Sequence, residues 1–153
     1  MTSFVSLDLS LAIAHHLLIF GLAAVLAFEI GAIRASITSD DIRRVAGVDI
    51  WYGVLAGAII IVGFTRAIFA AKGWAYYSGN VFFLAKMGAF ICVGMLSIPP
   101  TIAIIRWKRS LAADAGFRLA GPEIDRVRRY LWMEVGFFAL IPVFAAAMGR
   151  VHP

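Results

Sequence analysis

The chain has 153 residues, 62% of them hydrophobic and 15% charged, with a mean hydropathy of +0.90. Soluble domains are roughly 45–50% apolar and 25% charged, so a water-soluble core of ordinary proportions is excluded and one membrane domain over 1–153 is expected. The net charge of +5 and pI near 9.9 do not indicate nucleic acid, because the basic residues flank apolar runs as orientation signals do. Cys92 is the sole cysteine, so no intrachain disulfide can form and the redox compartment cannot be read.

The N-terminal MTSFVSLDLS lacks a basic n-region, and the apolar run after it is too long for a signal peptide. The first span is therefore expected to be retained. A helix needs about 20 apolar residues to cross the hydrocarbon core, and four stretches qualify: about 9–34, 50–71, 80–106 and 130–149. Backbone groups in lipid must be satisfied internally, so the fold class is an all-α, integral membrane four-helix bundle.

The first span carries His15 and His16 near one end and Glu29 near the other. Thr38 and Asp41 then have capping-box spacing, which predicts a short amphipathic helix over about 39–46, lying along the headgroups. Span two opens near Ile50 with Trp51 and Tyr52, which suit the interface. It contains Gly53, Gly57 and Gly63, small faces that permit close helix approach, and carries Arg66 near its far end.

The connection KGWAYYSGN is short and aromatic; Trp74, Tyr76 and Tyr77 read as an interfacial belt. Span three opens near Val81, meets Lys86 early, and contains Pro99-Pro100, which removes helix donors and predicts a kink. It ends in the basic RWKR, Arg106 to Arg109, and the third connection is the longest. Pro122 after Gly121 looks like a helix N1 position, with Glu123 and Asp125 suited to the first turn. Glu134 lies just inside the fourth span. His152, one residue from the end, reads as irrelevant.

Of the fourteen Lys and Arg residues, ten fall in or beside the first and third connections. The positive-inside rule then predicts both termini outward and a multi-pass protein of the bacterial cytoplasmic (inner) membrane. That orientation turns positions into depth. His15 and His16 lie roughly 10 Å below the outer face, with Arg66 and Lys86 at a similar level. His15 and Glu29 are 14 residues apart, close to four turns or about 21 Å, so they share a face with Leu18, Leu22 and Leu26. His16 is turned about 100° away.

Ionisable groups at membrane depth are expensive and mark function by default. The bland readings are that Arg66 and Lys86 snorkel outward and that the histidines bond backbone carbonyls. On the same reading Glu29 and Glu134 only pair with loop arginines, and the methionines and glycines serve packing alone. The functional readings are a porphyrin whose propionates meet Arg66 and Lys86 while an imidazole ligates iron, a proton path through His, Glu or Lys, and a copper site using His with Met87 or Met95. A quinone-like molecule would also suit such a cavity.

The layout resembles a group of small bacterial four-helix membrane proteins that includes the HemJ-type protoporphyrinogen oxidases, the CopD copper-resistance membrane domain and several uncharacterised families. The residues that carry the likeness are AHHLLIFGLA in the first span, FFLAKMGAF opening the third, and IIRWKR closing it. The HemJ-type resemblance implies heme b, with His15 or His16 as ligands of the iron. The resemblance also marks Lys86 as functional; from the shared depth, Arg66 and Lys86 would neutralise propionates or stabilise an anionic intermediate in a redox role. The chain departs from that pattern at Leu84, where the resemblance implies a histidine two residues before the lysine; the obvious second axial ligand is thus missing. CopD-like copper or small-solute binding without heme is the alternative, and a homo-oligomer would give a large cofactor more room. A structural partner protein is the non-catalytic reading.

Overall fold

The computed structural model describes residues 2–69 and 78–150, with side chains from residue 7 onward. The aromatic belt expected at Trp74, Tyr76 and Tyr77 lies outside the described residues, as do Lys72 and His152. Four long helices follow in order: α1 (Thr2–Ala32), α2 (Ser39–Phe69), α3 (Val81–Ala113) and α4 (Gly121–Arg150). Each is long and apolar enough to cross a membrane. The described chain is an all-α membrane helical bundle.

The helices pack as two antiparallel hairpins, α1 with α2 and α3 with α4, joined mainly through α2 and α3. The register of the first hairpin is visible where Gly21 faces Leu55 and Gly63 faces the His15 ring. Lipid-type exposure confirms which surfaces face outward: Leu17, Phe20, Ile61 and Val81 are all more than 60% exposed. Inside, Leu22, Leu26, Ile104, Trp107 and Leu131 form one cluster with almost no exposure. Leu22, Leu26 and Glu29 are all buried, so the face expected for α1 does point into the bundle.

Two boundaries differ from the sequence expectation. The short headgroup helix does not exist as a separate element: Ser39 to Phe69 is one unbroken helix. The Thr38–Asp41 capping box is present, with the Asp41 amide donating to Thr38 Oγ1 at 3.2 Å and the Thr38 amide donating to Asp41 Oδ2 at 3.0 Å. It starts the whole of α2, because Ile42, Val45, Ala46 and Asp49 form a helical stripe that is buried against the core. α3 continues past RWKR to Ala113, where Trp107 and Leu111 are buried; the third connection is correspondingly short. Trp107 Nε1 donates to Glu123 Oε1 at 2.9 Å, tying the end of α3 to the start of α4. α3 also runs through Pro99 and Pro100 without interruption.

At the other end of α3, Asn80 is the N-cap, accepting from the amides of Phe82 at 2.9 Å and Phe83 at 3.2 Å. This satisfies two of the orphan donors of the first turn and fixes where Lys86 enters the bundle. α4 begins at Gly121 with Pro122 in its first turn, as the sequence predicts.

Candidate functional site

The polar residues within the bundle fall into two layers. The first lies in the half away from the basic connections. There a cavity of about 640 Å³ opens among all four helices, lined by His15 and His16 of α1, Arg66 of α2 and Lys86 of α3, with apolar side chains around them. Shared depth on three spans is thus also a shared cavity wall. The volume falls within the range of small-molecule sites, roughly 300–1,000 Å³.

The four lining residues are not equivalent. His15 is half-buried, and its Nδ1 is enclosed with no hydrogen-bond partner among the described residues. A Cβ on Gly63 would stand 3.2 Å from His15 Cε1; the glycine makes room for the ring. His16 is exposed, stands edge-on to His15 at 6.3 Å between centroids, and bonds the Ala12 carbonyl through Nδ1 at 2.7 Å. That is the structural role for an adjacent histidine.

Arg66 does not snorkel freely, because its Nε stands 3.4 Å from Asp8 Oδ1 on α1. Asp8 is a partner the sequence reading did not name. Lys86 is half-buried with its Nζ 5.1 Å from the centre of the Phe83 ring, a cation–π distance. No carboxylate pairs with it among the described residues. Leu84, where the HemJ-type pattern would have histidine, is 55% exposed and lies off the cavity wall. Met95, a candidate copper ligand, is 65% exposed and also absent from that wall, whereas Met87 lines it. Of the glycines read as packing positions on α2, Gly53 and Gly57 face open space and Gly63 alone makes a close approach.

The second layer lies toward the basic end. Glu29, Asp49 and Glu134, from α1, α2 and α4, are 2%, 8% and 1% exposed. Tyr52 donates its hydroxyl to Glu134 Oε1, bridging α2 and α4. Thr101 of α3 donates to Asp49 Oδ1 at 2.8 Å. Glu29 Oε1 is buried without a partner. None of the three pairs with a loop arginine among the described residues, which corrects that reading of Glu29 and Glu134. Arg128 instead gives Nη1 to the Ile33 carbonyl at 3.1 Å, closing the end of α1.

Sequence reasoning missed Asp49 and misplaced Tyr52. Trp51 is 60% exposed, as an interfacial anchor should be, but Tyr52 is 6% exposed. The available signal was the stripe Ile42, Val45, Ala46, Asp49, continued by Tyr52 three residues on.

A family described as predicted membrane proteins, DUF2214, matches residues 7–151. The chain belongs to this family. The match spans all four helices, so the DUF2214 domain includes both polar layers. No curated protein and no solved structure matches the chain. Nothing in these comparisons supports the likeness to HemJ-type oxidases or to the CopD domain.

Proposed function

We propose that the outer cavity binds a flat, largely apolar anion, and that heme b is the member of this class held there, in a redox role at the bacterial cytoplasmic membrane. The observation that carries the reading is His15, which lines a 640 Å³ cavity together with Lys86 and whose Nδ1 has no hydrogen-bond partner among the described residues. A neutral imidazole is the commonest biological metal ligand, and burying it without a partner costs free energy that iron would recover.

His15 would hold the iron, and Lys86 would face a propionate. Arg66 already has Asp8, so it would take the second propionate only by exchanging that partner. His16 bonds backbone and is exposed, so Met87 and Met148, which also line the cavity, are the thioethers that would be available to the iron beside His15. Heme would supply one-electron chemistry; the protein supplies the binding, the charge compensation and the exclusion of water.

A quinone-like molecule would use the same apolar walls and hydrogen-bond the same His15 and Lys86. Copper fits less well, since no three His, Cys, Asp or Glu residues gather around one point among the described residues.

The test is an absorption spectrum of the membrane-purified protein, oxidised and reduced. A Soret band should be present and should weaken or shift in His15→Ala, while His16→Ala leaves it in place. No band after expression with ample heme and after reconstitution would sink heme. Copper retained without a band would favour the CopD-like reading. An unchanged spectrum in His15→Ala would remove the proposed ligand.

A further inference from the structure

The inner layer is independent of what the outer cavity holds. Three carboxyl side chains, each more than nine-tenths buried, share one level of a membrane bundle, and no ion pair among the described residues compensates them. Glu29 of α1 stands within electrostatic reach of Asp49 of α2 and Glu134 of α4, and Tyr52 faces both glutamates. α3 contributes only hydroxyls to this layer, Ser97 beside Tyr52 and Thr101 on Asp49. Arg128, the guanidinium at the Ile33 end, is spent on a backbone carbonyl. Among the described residues nothing supplies positive charge to these carboxyls, and a proton from solution can.

Two observations choose the carrier. Among the described residues the carboxyls are not gathered tightly enough for three of them to hold one metal ion, but two of them accept from hydroxyls, Glu134 from Tyr52 and Asp49 from Thr101. Glu29 Oε1, the unpaired atom, is buried within the same layer. Beside them runs a second cavity of about 310 Å³, lined by Asp49, Tyr52, Ser97 and Thr101. Leu22, Ile60 and Phe90 line this cavity and the outer one alike, an apolar collar that the two share.

We propose that Glu29, Asp49 and Glu134, linked through Tyr52, Ser97 and Thr101, form a proton-binding relay that leads from the basic end of the bundle to the collar of the outer cavity. At each station one proton arrives as another leaves. A carboxyl or hydroxyl oxygen takes a proton from the neighbour on one side and passes one to the neighbour, or to cavity water, on the other. No electron moves and no bond between heavy atoms changes.

The experiment uses the full chain in vesicles of neutral lipid enclosing a pH-sensitive dye, with a potassium diffusion potential set by valinomycin. Wild-type vesicles should change internal pH faster than protein-free ones. Glu29→Gln and Glu134→Gln should each lower that rate about tenfold or more, while Glu29→Asp, which keeps a titratable group, retains most of it. A structural role predicts the reverse order, because glutamine keeps the size of glutamate and aspartate does not. Several results overturn the relay: wild-type flux equal to protein-free vesicles, Gln variants at the wild-type rate, Glu29→Gln retained while Glu29→Asp is lost, or flux that follows a sodium gradient alone. Flux in a preparation with no Soret band would leave the relay standing and sink the heme reading, so the two can fail separately.

Discussion

The outer layer gathers a histidine, a lysine and an arginine around a 640 Å³ cavity and, among the described residues, secures them with one ion pair between half-exposed groups. The inner layer buries three carboxyls and bonds two of them to side chains on other helices. The first is roomy and loosely tied; the second is tight and crosses the bundle. Charge sign follows the same division, with cations outward and acids toward the basic end. On the two proposals above, this division separates a place for a ligand from a place that joins the helices and passes protons.

Variants can break or sharpen this contrast. The largest effect is expected from Trp107→Ala at the inner end, which removes a buried ring with 1% exposure and its bond to Glu123. The loss should be roughly 3 kcal/mol or more, read as a lowered midpoint of thermal unfolding in detergent. An unchanged midpoint would mean the inner half is not what holds the hairpins together.

Tyr52→Phe should come next. It strips the donor from Glu134, which is 1% exposed, and leaving a buried acceptor unpaired costs about 1–3 kcal/mol. The same midpoint measurement checks it. A shift no larger than that of a lipid-facing change such as Ile61→Val, at a residue 68% exposed and off both cavity walls, would deny the bond its bridging role.

Gly63→Ala tests the outer layer. The added methyl meets His15 Cε1 at 3.2 Å, so the ring must give way, and overpacking of this kind costs about 1 kcal/mol when the neighbour can move. Stability should change little while the cavity loses affinity for its ligand, seen as a weakened or shifted Soret band if heme is bound. The reverse outcome, a large stability loss with the spectrum intact, would make the outer layer a packing element.

Asp8→Asn should be the mildest. Its carboxylate and the Arg66 side chain are 38% and 28% exposed, and pairs of this kind contribute about 0–1 kcal/mol. The midpoint should barely move. Because Arg66 is released toward the cavity, binding of an anionic ligand should tighten, which a titration against the wild type would register.

Much of this arrangement is legible in the chain itself. Four apolar stretches of spanning length give four helices, since hydropathy and length alone decide what can cross a bilayer. The alignment of His15, Leu22 and Glu29 on one face follows from helical period, and the common level of Arg66 and Lys86 follows from counting inward from each end. The Tyr52–Glu134 bond does not. It depends on the rotation of two helices about their axes, to which residues 82 positions apart contribute no local signal. The Arg66–Asp8 pair escaped for a related reason: its partner sits before the apolar run, where an acid reads as ordinary solvent-side sequence. α2 was divided too early because Asp40, Asp41, Arg43 and Arg44 look like a headgroup segment. Yet alternate turns of the same stretch carry Ile42, Val45 and Ala46 to the core.

That undivided α2 has a mechanical meaning. Asp49 and Tyr52 sit on the same rod as Gly63 and Arg66, with 17 residues from Asp49 to Arg66, or about 25 Å at the helical rise. No proline interrupts the helix between them. A tilt that makes space beside Gly63 therefore swings the other end of the lever, where Asp49 meets Thr101 and Tyr52 meets Glu134. Under the two proposals, a ligand beside Gly63 and a proton on the inner carboxyls would act as two forces on a single beam.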